Sequence, residues 1–245
     1  MNKTSGIILF LLEGGSEVKA LMNQFEKLYD RMKNKAEIYH SLMKDSQQNG
    51  GDITSKYGIS PKNIKKLIDK LFIEPFLDNN GFRPKDINEI IHIVDIDGVF
   101  IPDKAIIKDL NVKKTVYKTN NILTKNVDLI IERNEQKREN LNILCASNEI
   151  KIQNRIIKYS IYYFCSNLDH FLYKNANLTA SSKLQMAQKF FNAYNDTEKF
   201  ISFFQSDLDN SEQNYKESWE WLKEGLNSLQ RHTNLNLLID KITNN

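Results

Sequence analysis

An α/β fold with a largely parallel sheet flanked by helices is predicted from three features of the 245-residue chain. Two short apolar runs, Gly6-Ile7-Ile8-Leu9-Phe10 and Ile90-Ile91-His92-Ile93-Val94, each end in an acidic cluster and a glycine turn. Such β-branched, uninterrupted runs are those of strands buried on both faces of a parallel sheet. The stretch between them, and most of the chain after residue 160, shows apolar residues at three- and four-residue steps, the period of amphipathic helices.

The first strand is expected at residues 6–12, followed by Leu11-Leu12-Glu13-Gly14-Gly15-Ser16-Glu17. Val18, Leu21, Met22, Phe25, Leu28, Tyr29 and Met32 then predict a long helix from Glu17 to about Ser46, broken near Gly50-Gly51. Ser60-Pro61 reads as the start of a second helix carrying Ile64, Leu67, Ile68 and Leu71 on one face. A second strand is expected at 90–96, neighbouring the first, and Val99–Asp103 reads as a loop. A charged helix lies within Ile122–Asn140, and Leu141–Ala146 reads as a third buried strand. Helices are then expected over Tyr159–Tyr173, Ser181–Tyr194, Glu198–Ser206 and Ser218–Leu229. This divides the chain into an α/β part, 1–175, with a helical insertion at about 20–88, and a helical part, 176–245.

Bulk composition narrows the function classes only slightly. A net charge of +3 permits nucleic-acid binding through local patches without requiring it. Cys145 and Cys165 have no metal-type spacing with the four histidines and read as reduced thiols. The apolar stretch Ile7–Leu12 is too short for a bilayer span and lacks the pattern of a signal peptide, so a cytoplasmic protein without a membrane partner is expected. No G-x-x-x-x-G-K-[ST] loop is present, so any ATPase must be another chain.

The chemistry sits in the acidic clusters. Open α/β sheets place their ligands beyond the carboxyl ends of the strands. Glu13 and Glu17 follow one such end, and Asp95-Ile96-Asp97-Gly98 follows the other. Carboxylates gathered there are costly unless they hold a cation or a proton in use. Hard oxygen donors point to Mg²⁺ or Mn²⁺, one ion or two, clamping a phosphodiester. Blander roles compete: an Asp that caps the following helix, and a solvated Glu17 favoured by a helix dipole. Lys113, Lys114 and Lys118 follow the Asp pair and can flank a scissile phosphate. Tyr162, Tyr163, Phe164, His170, Phe171 and Tyr173 can stack on bases, though core packing is the commoner fate of such a cluster.

The Glu13-Gly14-x-x-Glu17 cluster upstream of Asp95-x-Asp97 resembles the TOPRIM domain. More narrowly, it is similar to the TOPRIM nucleases of bacterial abortive-infection and anti-phage defence systems of the OLD, RloB and AbiL kinds. The resemblance implies a Mg²⁺- or Mn²⁺-dependent nuclease acting on DNA or RNA, tRNA included, with a separate ATPase partner and a possible homo-oligomeric state. It assigns catalysis to Glu13, Asp95 and Asp97, and metal binding to these with Glu17. Ser166-Asn167-Leu168-Asp169 is similar in placement to a later acidic segment of that family, which adds Asp169 as a ligand, although the usual Pro and Glu are missing. His92–Val99 also resembles the first motif of haloacid-dehalogenase-type phosphatases, in which Asp95 would be the nucleophile and Asp97 the general acid. Asp207-Leu208-Asp209 is a late acidic pair for that reading, in a helical, polar context. A third reading is a non-catalytic TOPRIM-like subunit that binds a partner.

Overall fold

The computed structural model describes residues 6–31, 36–42, 52–206 and 214–244. Its centre is a five-stranded sheet in the order β2-β1-β3-β8-β7, built from β1 (Ile7–Leu12), β2 (Glu37–Leu42), β3 (Ile87–Asp95), β7 (Glu149–Ile152) and β8 (Arg155–Phe164). β2, β1, β3 and β8 are parallel, and β7 closes the edge as an antiparallel partner of β8. The expected neighbours pair directly, Phe10 opposite Ile91 and Leu11 opposite His92. All six residues of β1 are buried, as the uninterrupted apolar run requires.

Two helical layers cover the sheet. On one face lie α3 (Ile64–Ile68), α4 (Glu74–Asn80), α5 (Val127–Cys145) and α9 (Tyr215–Leu222), which meet Leu9, Leu11, Ile90 and Tyr163 in one core. On the other lie α1 (Gly15–Glu17), α2 (Asn23–Arg31), α6 (Leu168–Tyr173), α7 (Ala180–Ala193), α8 (Thr197–Ser206) and α10 (Leu235–Thr243), packed on Phe10, Leu12, Ile91, Ile93 and Phe164. Single π-helical turns, Val18–Met22 and Asp69–Ile73, join α1 to α2 and α3 to α4. Between β3 and α5 the chain makes a small lobe, β4 (Ile106–Lys108), β5 (Val116–Tyr117) and β6 (Ile122–Thr124), in the order β4-β6-β5.

Several elements differ from expectation. The helix after Glu17 is described through Arg31, and Glu37–Leu42 is the edge strand β2, so the 20–88 insertion is not purely helical. Parallel pairing with β1 decides this segment, whose half-buried side chains carry little period of their own. Met32 and residues 43–46 lie outside the described residues, as does the Asp207–Asp209 cluster. Leu141–Ala146 is not a strand: residues through Cys145 end α5, with Leu141 and Leu144 buried one helical turn apart and Asn142 and Ile143 exposed. Tyr159–Phe164 is strand rather than helix, because an aromatic run buried on both faces carries no period to distinguish the two. The second helix starts at Ile64, after a turn in which the Ile64 N–H donates to the Ser60 carbonyl (2.9 Å). The charged helix starts at Val127, after β6. The last stretch, 218–229, divides at Gly225 (φ +51) into α9 and a 3₁₀ turn, Asn227–Leu229.

The turn after β3 is the tightest point of the fold. Asp97 (φ 54) and Gly98 (φ 65) are both left-handed. A Cβ on Gly98 would stand 2.5 Å from Cδ2 of the buried Leu229. Gly98→Ala is therefore expected to cost about 1–3 kcal/mol from backbone strain and crowding together. Urea denaturation checks this; an unchanged midpoint would show that the turn relaxes freely.

Candidate active site

The chain leaves β1 toward β2 on one side and β3 toward β8 on the other, so the strand order reverses between β1 and β3. Crevices at such switch points bind ligands in open α/β sheets. Glu13 extends from β1, Asp95 ends β3, and Asp169 follows β8. The Asp95 N–H donates to Glu13 Oε1 (3.0 Å), and Asp95 Oδ1 accepts from the Leu168 N–H (2.8 Å) at the start of α6. Glu17 is buried in the first turn of α1. The five acidic residues singled out from the sequence thus gather at one end of the sheet.

The sheet plane splits this cluster into two halves. Residues two apart in a continued strand share a face. The left-handed φ at Asp97 breaks the strand, and the Asp97 N–H donates to the Ser166 carbonyl (2.7 Å). Its carboxylate meets α5, where Lys137 Nζ lies 2.8 Å from Asp97 Oδ2 and 2.7 Å from Asp52 Oδ2. The Lys137 side chain is wholly buried. Asp52 caps the 3₁₀ turn Ile53–Ser55, accepting at Oδ1 from the Thr54 N–H (2.7 Å). Arg133, one helical turn before Lys137, donates from Nη2 to the Asp97 carbonyl (3.0 Å) and from Nη1 to the Tyr117 hydroxyl (2.7 Å). The other half holds Glu17, Asp95 and Asp169. There Lys183 of α7 reaches Asp169 Oδ2 (3.0 Å), while Asp169 Oδ1 is buried without a hydrogen-bond partner.

Electrostatics follow this division. Burial, reinforced by Asp52 and Asp95, holds the Glu13 carboxyl well above the ordinary range; Lys137 opposes the shift and Asp97 adds to it. Burial, then Glu17 and Asp97, raises Asp95 likewise, against Lys183 and the Leu168 N–H. Burial raises Glu17 to about 7. Burial alone would also raise Asp52, but the Lys137 ammonium outweighs it and holds the group low, while Asp52 and Asp97 overcome burial to raise Lys137. Raised carboxyl pKa values and ammonium groups thus offset the gathered carboxylates.

The chain matches no family model, no curated protein and no solved structure.

As the side chains stand, no three His, Cys, Asp or Glu groups among the described residues converge closely enough to hold one ion. The donor chemistry nonetheless fits Mg²⁺ or Mn²⁺: all the donors are hard oxygens, and the partnerless Asp169 Oδ1 is an orphaned acceptor beside them. Lys113, Lys114 and Lys118 are exposed in the small lobe, which Arg133 ties to Asp97 through Tyr117. Lys114 Nζ donates to the Asn177 and Leu178 carbonyls at 3.2 Å. Tyr162, Tyr163, Phe164, His170 and Phe171 are buried and available for packing rather than stacking on bases. Sequence reasoning missed Asp52, Arg133, Lys137 and Lys183. Only the chain reversal at α5 and the docking of α7 bring them near the Asp pair, and no spacing announces it.

A raised carboxyl pKa makes stability fall with pH. Unfolded Glu17 ionises near its ordinary 4.5, whereas the folded group keeps its proton to about 7. The folded state therefore binds more protons in that window, and stability drops as pH rises through it. At about pH 8 the penalty from Glu17 is roughly 3 kcal/mol. Glu17→Gln is expected to be the more stable form above about pH 7 in EDTA and to lose that advantage below about pH 4.5. Paired urea titrations check this, and parallel curves for the two proteins would contradict it.

Proposed function

We propose that this chain is a divalent-metal-dependent nuclease of TOPRIM type that cleaves phosphodiester bonds of DNA or RNA. The observation that carries the reading is the gathering of Glu13, Glu17, Asp95 and Asp169 at the ends of three neighbouring parallel strands, β1, β3 and β8. The order of the clusters along the chain and the parallel central strands fit the resemblance. A separate ATPase chain and a role in anti-phage defence come from that resemblance.

Glu17, Asp95 and Asp169 are the carboxylates left to hold an ion and would have to close from where they stand to do so; when bound it would supply charge neutralisation and Lewis-acid activation at the phosphate. Glu13 accepts the Asp95 N–H at Oε1, which leaves Oε2 to carry its proton. As water adds to phosphorus and sheds a proton to solvent, the scissile P–O bond breaks and Glu13 gives its own proton to the departing oxygen, to be reprotonated from solvent afterwards. Asp97, fixed by Lys137 and Arg133, sets the position of the turn on which Asp95 depends. Lys113 and Lys118 sit on the exposed lobe, where they bind backbone phosphates outside the reacting centre.

One observation favours a second reading, an aspartyl-phosphate phosphatase: the Asp95-x-Asp97-Gly98 turn ends a central parallel strand beside a buried lysine. There Asp95 would attack phosphorus and carry the phosphoryl group until water removed it. Glu13 separates the two. For the nuclease, Glu13→Gln is expected to lower Mn²⁺-dependent cleavage of plasmid, RNA or tRNA by about 10²–10⁴-fold, with no phosphate on Asp95 by mass spectrometry. A mild Glu13→Gln effect together with beryllium fluoride trapping at Asp95 would replace this reading with the phosphatase.

A further inference from the structure

We propose that the groove between Tyr57 and the start of α5 seats one unpaired base of a single-stranded nucleic acid, stacked on the Tyr57 ring. The inference rests on the nuclease reading above and names single strands as its substrate class. Tyr57 stands in a turn closed by the Ile59 N–H, which donates to the Lys56 carbonyl (3.2 Å), with Gly58 in the left-handed region (φ +78). Gln136 of α5 donates from Nε2 to the Lys56 and Ile59 carbonyls (2.6 and 2.9 Å), and Asn63 Nδ2 donates to the Gly58 carbonyl (2.9 Å). Ile53 and Ile59, on either side of the turn, are buried in the core. The backbone is thus braced, yet the Tyr57 side chain is fully exposed. A ring held in water on a fixed turn presents its face to a ligand with little ordering left to do on binding.

The groove beside this ring has a volume of about 420 Å³, and Ser55, Leu129, Glu132, Arg133 and Gln136 line it with Tyr57. Leu129, also exposed, adds apolar surface from α5. Two exposed apolar side chains are far short of the roughly 800 Å² that each partner of a stable protein interface buries, whereas the groove is of small-ligand size. Its surroundings suit a polyanion. Lys62, Lys66 and Lys70 are exposed at four-residue steps along the segment of α3, which packs against the 3₁₀ turn Ile53–Ser55. The carboxylate in the groove, Glu132, is an acceptor for the exocyclic amine of a base such as cytosine. The groove is also continuous with the acidic cluster. Leu129, Arg133 and Lys137 follow one another at four-residue steps, about 6 Å apart along α5. Arg133 both lines the groove and donates to the Asp97 carbonyl, so a base seated there lies beside the turn that carries the Asp pair. A duplex keeps its base faces stacked on one another, and only an unpaired base can offer one to Tyr57.

Fluorescence anisotropy of the full chain in EDTA, with a labelled short oligonucleotide as a single strand and as a blunt duplex, tests this without reference to cleavage. The single strand is expected to bind more tightly. Tyr57→Ala should weaken single-strand binding about five- to 150-fold, the loss of one base–aromatic stack, and leave duplex binding unchanged. Tyr57→Phe, which keeps the ring, should bind as the unaltered chain does. Because the side chain is fully exposed, the melting temperature of Tyr57→Ala should not move, so a loss of binding reports the contact and not the fold. No binding of single strands, equal affinity in Tyr57→Ala, or an equal loss on strand and duplex would each overturn the inference. So would a change in the sedimentation coefficient of the free chain in Tyr57→Ala, which would assign the ring to a contact with a second copy. Mn²⁺-dependent cleavage that ignores Tyr57 would remove the base groove alone, whereas absence of both binding and cleavage would overturn the nuclease reading beneath it.

Discussion

Desolvation governs the acidic end of the sheet. Three strand exits deliver carboxylates to one place, and a carboxylate removed from water must find a cation, a proton or a donor. The molecule uses all three. Lys137 and Arg133 serve Asp97 and Asp52, burial favours the protonated forms of Glu13 and Asp95, and the Leu168 N–H binds Asp95. Because each solution lies on a different element, the requirement also fixes tertiary structure. Lys137 ties the middle of α5 to the end of β3 and to the turn at Asp52, and Asp95 ties β3 to the start of α6. A buried pair of this kind adds little net stability relative to an apolar equivalent, but losing one member leaves an uncompensated charge, at a cost of several kcal/mol. That asymmetry favours one arrangement over its neighbours.

The parts legible in the sequence were those with a local signature. β1 and β3 announce themselves through unbroken apolar runs, α7 and α8 through their period, and the acidic clusters through their position after a strand. What stayed hidden depended on distant partners. Glu37–Leu42 becomes a strand because β1 offers a free edge, and Leu141–Cys145 stays helical because the residues before it have already begun a helix capped by Asn126. The site shows the same limit. Glu13, Asp95 and Asp97 stand where chemistry is expected, whereas Lys137 is one charged residue among many in α5. Nothing in its neighbours separates a residue that turns inward from Arg138 or Lys125, which do not share its burial.

The small lobe of β4, β5 and β6 links this electrostatic centre to the outside. Its own apolar cluster, with Ile101, Ile106, Ile122 and Leu229, lets it fold against α5 without entering the main cores. Through the Tyr117 hydroxyl it rests on Arg133, which also holds the turn at Asp97. A ligand that shifts the lobe therefore has a two-bond route to the position of the Asp pair.

The order of the strands in the sheet has a consequence for how the protein comes into being. β1 pairs with β3 some eighty residues later in the chain, and β3 pairs with β8 about seventy residues after that. Contacts so distant in sequence are slow to form, since the intervening loops must close before any pairing rewards them. During synthesis the amino-terminal acidic cluster emerges long before the segment that carries Asp169. The complete set of carboxylates can assemble only after β8 has docked, so a nascent or half-folded chain lacks the full constellation until the last central strand is in place.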